Sequence, residues 1–400
     1  MDAETHPAHQ ARSSFVTCLS RLVSAAAGCL VAFGPLACGT SPTSDSQNGG
    51  APSLRALDTL VLQDRGDLTV GRPGALVIGP DRDFYVSDVF SDHIVRFDRN
   101  GVAVKVYGSP GDGPGEFRSL GSTLFVTHAL VGAGDLGSGS VLLFSKRTGR
   151  YLSSRRVDGV TTSAAVNGDS IWLGTIGTSV DSAVVVWSPH DLSGRKPFQS
   201  SDRELIPNIL ALPLNYRSNP TLRFTYGLTS VVSWGDTVLI GLGASRAVWE
   251  TSLRDGPVRS LRIPATRRRG VPDNLVRRAS LQVATIQDLF SMTSVLMGLY
   301  RAPSGRVTAV HFDFTLKSLK ARLATARVYV SLLSPDLREA CVDRIVPTDT
   351  LAEPVTTVKG DTLFVLEQHL RAPEHDVAET VIEPYLVDPR GCSWLPTLPA

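Results

Sequence analysis

Cysteine is scarce: the chain has five in 400 residues. Cys18, Cys29 and Cys38 all lie near the amino terminus, which leaves Cys341 and Cys392 for the folded part. Neither of these has a CxxC partner, so the usual spacing of a structural zinc site is excluded. Two thiols in an oxidising compartment are candidates for one disulfide, with two separate buried thiols as the other reading. No G-x-S-x-G nucleophile elbow and no G-x-x-x-x-G-K-S/T phosphate loop occurs. Charge of one sign is missing as well. Lys and Arg total 40 against 38 Asp and Glu, a net charge of +2, so bulk electrostatics selects neither nucleic acid nor an acidic surface. The one basic knot, Arg267-Arg268-Arg269 with Arg277 and Arg278, has no interleaved aromatics and reads as a solvated loop and helix face.

Long apolar runs are also lacking. The run Leu22–Phe33 is short for a membrane span and is bounded by small residues. Polar residues with Arg12 and Arg21 precede it, and Gly34-Pro35-Leu36-Ala37-Cys38-Gly39 follows. This arrangement resembles a bacterial lipoprotein signal, which implies cleavage before Cys38 and a lipid on its thiol. Cys29, after Ala26-Ala27-Gly28, is a competing site, and a plain cleaved signal with a secreted product is a further reading. Residues 39–50 are rich in Ser, Thr, Gly and Asn, cannot bury a core and read as a tether. The chain therefore divides into a signal peptide (1–37), a tether (38–52) and a folded part (53–400), exported to the cell envelope and held at the membrane by its lipid.

What the folded part has in quantity is short strands. From Gly74 to Phe117, four apolar runs at about ten-residue spacing alternate with turn residues (Gly79-Pro80-Asp81, Asn100-Gly101), the pattern of one antiparallel sheet. The second run, Phe84–Asp88, recurs as Leu124–His128, Ile171–Thr175, Val238–Leu242, Val307–His311 and Leu363–Glu367, giving six copies. The residues Asp81–Asp88, His93–Phe97 and the turn GSPGDGPGEF (108–117) closely resemble an NHL repeat, and the whole chain resembles a bacterial six-bladed propeller lipoprotein. The fold expected is all-β: a six-bladed β-propeller of four-stranded antiparallel blades. The strand-like stretch Leu54–Asp64 should join the last blade, because an open ring would expose a strand edge. Phe198–Phe224 reads as a long loop, and Asp273–Met297 carries apolar residues at helical spacing, so a short helix is expected there.

If the copies are in register, Asp88, His128, Thr175, Leu242, His311 and Glu367 end their strands on one face. Asp88, His128, His311 and Glu367 would then come from four consecutive blades, a set that could bind a divalent metal at the axial mouth. His369 and His375, beside Glu367 and Glu374, read as surface histidines in a loop. The resemblance to NHL-type propellers implies a binding or scaffolding module for a protein, peptide or glycan ligand, with no nucleic acid. The alternative it implies is a metal-dependent lyase or lactonase, although the ligand sets of those enzymes have no counterpart here.

Overall fold

The computed structural model describes residues 50–399 except 67, 158, 168–169, 177–183, 188–203, 206–227, 253–258, 273–290, 319–322, 349–353 and 372–375. The expected signal peptide with Cys38, most of the expected loop at 198–224 and most of the expected helix at 273–297 lie outside the described residues. Val295 and Met297, at the end of that stretch, belong to a strand.

The turn chemistry of residues 74–107 forms as read. Pro73–Ile78, Phe84–Asp88, His93–Phe97 and Ala103–Tyr107 make the first antiparallel sheet. Asp98 closes its last turn by accepting hydrogen bonds from the amides of Asn100 and Val102, at 2.9 and 3.0 Å. The second sheet comprises Leu120–Val126, Leu130–Asp135, Ser140–Ser145 and Tyr151–Arg156. The third begins with Val160–Asn167 and Ser170–Ile176, the fourth with Thr229–Trp234 and Thr237–Leu242. The fifth begins with Val295–Arg301 and Val307–Ser318, and the sixth with Val355–Lys359, Thr362–Arg371 and Asp376–Asp388.

The first strands of successive sheets lie side by side in chain order, and Val355–Lys359 lies beside Pro73–Ile78. Alternation along each strand puts apolar side chains between neighbouring sheets. Tyr85, Ile94, Tyr107, Leu124, Val131 and Phe144 fill the space between the first and second. Leu76, Val86 and Val95 meet Leu366 and Ile382 of the sixth. Four-stranded antiparallel sheets stacked face to face around their inner strands define a β-propeller.

The glycine-rich turn 108–117 links the first two sheets through a short parallel ribbon, Ser109–Pro110 with Glu116–Phe117. Phe117 is fully buried and lies 5.8 Å from the ring of Phe144. Gly108, at φ +74°, permits this placement, since a Cβ there would sit 2.3 Å from the Phe117 ring.

Both ends of the described chain serve sheet edges. Ser53–Ala56 and Leu60–Leu62 pair antiparallel with Asp376–Asp388 of the last sheet. The carboxyl-terminal residues double back. Leu395–Pro396 pairs with Glu339–Ala340 of the fifth sheet, and Leu398–Pro399 pairs with Leu261–Arg262 of the fourth. Cys392 forms a disulfide with Cys341, Cα–Cα 5.6 Å, immediately before this tail begins.

Candidate functional site

The second strand of each sheet ends at the rim where the loops enter the inner strands. Asp88 closes the second strand of the first sheet and is fully buried. Its carboxylate accepts the amides of Gly71 (2.8 Å), Arg72 (2.9 Å) and Phe90 (2.9 Å). Asp135 repeats this in the second sheet, accepting Ser119 N at 2.9 Å and Gly137 N at 3.1 Å. Asp92 ties the two sheets together by accepting Leu120 N at 2.7 Å. Burial raises the pKa of Asp92, helped by the nearby charges of Asp135 and Asp88. Each buried carboxylate thus stabilises loop amides that would otherwise lack a partner.

In the fifth sheet the same rim position holds Asp313. It accepts Ser294 Oγ at 2.5 Å and Arg269 N at 3.0 Å. Beside it Asp343, fully buried at φ +59°, accepts Arg267 N at 2.9 Å and the amide of Thr266. Asp343 also pairs with Arg268, Nε to Oδ1 2.9 Å, while Arg268 Nη2 donates to the carbonyls of Ile263 and Pro264 at 2.8 and 3.0 Å. The basic knot departs from a solvated face at Arg268, while Arg267 and Arg269 are exposed. Arg268 is buried, and its ion pair and the Arg269 contact with Asp313 fasten the loop from the fourth sheet onto the fifth. The sequence pattern alone could not show this, because the acidic partners lie 44 and 75 residues away.

His311 is 5% exposed, and its Nδ1 has no hydrogen-bond partner. Burial, then the charge of Arg268, holds its pKa well below the ordinary 6.5. The unfolded chain therefore binds a proton that the folded one refuses. Stability contributed this way is present above pH 6.5 and falls as the pH drops below it, at up to about 1.4 kcal/mol per pH unit. Urea unfolding at pH 7 and pH 5 should show the wild type losing about 1–2 kcal/mol more than His311→Gln. Equal losses would mean that the ring titrates normally.

The four residues expected at the axial mouth do not converge. Asp88 and Glu367 hold matching rim positions, opposite the first residues of their inner-strand partners or one step beyond. His311 sits two residues short of the rim, where Asp313 takes the equivalent place. His128 is exposed in the turn between Leu120–Val126 and Leu130–Asp135, at the opposite end of its sheet. Its repeat copy, Leu124–His128, falls on an inner strand and not on a second strand. The loop placement of His369 is also corrected, since His369 lies within the strand Thr362–Arg371. His375 is outside the described residues. Among the described residues, one group brings metal-ligating atoms together: Glu367, His369 and Glu383, within 4.8 Å of one another.

These features belong to a β-propeller whose rim carboxylates fasten its loops. No family model and no curated protein matches the chain. Among solved structures, a member of the DUF4221 family from Bacteroides vulgatus superposes with a TM-score of 0.58 at 11% identity, covering 84% of this chain and 99% of that one. A candidate exported protein from Bacteroides fragilis gives 0.57 at 13% identity, covering 86% and 98%. Virginiamycin B lyase from Staphylococcus aureus gives 0.44 at 11% identity over 84% and 100%, too loose a fit to bear on chemistry. At these identities the likeness is one of fold alone.

Proposed function

We propose that this is an exported, lipid-anchored protein whose sheets close as a six-bladed ring, with Ser53–Leu62 completing the last blade. Its role in this reading is that of a binding or scaffolding module for a protein, peptide or glycan ligand in the cell envelope. The observation that carries the reading is the state of the rim. Asp88, Asp135, Asp313 and Asp343 are all engaged with loop amides, an arrangement that makes rigid loops and leaves those carboxylates poorly placed to move protons. At the same rim Phe90 is 78% exposed, an apolar contact that a partner would cover. Closure is supported by the packing of the sixth sheet on the first and by the pairing of the amino-terminal strands. Export is supported by the signal-like amino terminus and by the name of the B. fragilis neighbour.

Peptide and glycan arrays probed with wild type and Phe90→Asp test the binding role. A ligand whose affinity falls at least tenfold in the variant is expected, the cost of losing one buried aromatic anchor. Binding to no array member, or binding indifferent to Phe90→Asp, would contradict it. For the anchor, labelled palmitate should be incorporated by wild type and not by Cys38→Ala. Persistent label would move the lipid to Cys29.

A further inference from the structure

The fifth and sixth sheets meet over an apolar seam in which Val310, Phe312 and Val330 pack against Leu363, Val365 and Tyr385. At one end of this seam the sixth sheet changes character. Glu367 and His369 are two residues apart on one strand and so share a face. Glu383, on the next strand, pairs with Val365 and projects from that same face. The three side chains bring one ligand atom each to within 4.8 Å of the others. Glu367 is 1% exposed, whereas His369 and Glu383 are partly open to solvent.

We propose that Glu367, His369 and Glu383 bind a first-row divalent cation of the zinc class. Two carboxylate oxygens and one imidazole nitrogen gathered this closely are the donor set that a dication shares. Metal–ligand bonds of about 2.0–2.2 Å require ligand atoms within about 4 Å of each other. Ligand atoms already within 4.8 Å of one another have less than about 1 Å to close. The flanking groups are those that a metal site needs. Tyr385 Oη donates to Glu383 Oε2 at 2.5 Å and fixes that carboxylate. Glu379 Oε2 lies 4.0 Å from His369 Nδ1, and closing that gap to a hydrogen bond would orient the ring. An imidazole with two carboxylates suits zinc better than calcium, and three protein ligands leave a coordination position for water or a ligand. This set shares only Glu367 with the axial grouping expected from the repeats, and it stands independently of the proposed ligand-binding role.

The test is zinc titration of the full-length protein in detergent, against a competing chromophoric chelator, after chelator stripping. One equivalent should bind to wild type. His369→Ala and Glu383→Gln should each weaken binding at least tenfold, and Glu379→Gln by a few-fold. Zinc should also raise the melting temperature of wild type and not of His369→Ala. Both substituted side chains are partly exposed, so melting of the stripped variants close to wild type is expected and gives the comparison its baseline. Failure to bind an equivalent of zinc, or uptake unchanged in both ligand variants, would overturn the proposal. So would calcium binding more tightly than zinc and unaffected by His369→Ala. Array binding that survives chelator stripping would leave the ligand-binding role standing even if the metal site fell.

Discussion

Asp343→Asn should destabilise the protein by about 3–5 kcal/mol, the cost of stranding a buried charge by removing its partner. Arg268 is the stranded group. Its guanidinium is buried against Asp343, its remaining bonds go to the Ile263 and Pro264 carbonyls, and Asp313 acts on it only through space. Asn tolerates the left-handed backbone at φ +59°, so the substitution tests the charge and not the conformation. Urea unfolding should report the loss directly, and the melting temperature should fall by on the order of 5–10 °C. Adding Arg268→Met should recover part of it, because an apolar side chain needs no counter-charge. A single variant as stable as wild type would mean that the pair is solvated. A double variant no better than the single would mean that Asp343 matters through its loop amides, Thr266 and Arg267.

Cys392→Ala should cost about 2–4 kcal/mol, as expected for opening a disulfide whose cysteines are 51 residues apart. The consequence should be local as well as global. The bridge sits where the chain turns back to edge the fifth and fourth sheets, and Thr397 N donates to Arg338 O at 2.8 Å along that path. Amide exchange should therefore rise most at Leu395, Thr397 and Leu398 and in the partners Glu339–Ala340 and Leu261–Arg262. Unchanged exchange there would show that the tail holds by its own pairing. Trp394, packed against the core of the fifth and sixth sheets, would then be the anchor.

Strand chemistry was legible in the sequence wherever apolar alternation and turn residues coincided. Phe84–Asp88, Ile171–Thr175, Val238–Leu242 and Leu363–Glu367 all fall within second strands of their sheets. The second sheet hides its pattern for a physical reason. Its true second strand, Leu130–Asp135, reads LVGAGD, and two glycines in six residues look like a turn. Gly132 is small because the Phe125 ring occupies the space, and a Cβ there would lie 2.1 Å from it. The β-prone residues around Phe125 therefore mimic a second strand and mask Asp135. In the fifth sheet the second strand runs on to Ser318, past the segment that resembled its relatives, so His311 took the place that belongs to Asp313. The Arg268–Asp343 pair and the grouping of Glu383 with Glu367 depend on which strands become neighbours, and local sequence does not encode that.

In the proposed reading the first folded residues complete the last sheet and so hold the rim as one rigid platform. Hydrogen exchange at the alternate amides of Ser53–Ala56 and Leu60–Leu62 that face the strand Asp376–Asp388 tests it most directly. Protection matching that of the buried strand Phe84–Asp88 is predicted. Exchange at the rate of an unstructured chain would contradict it.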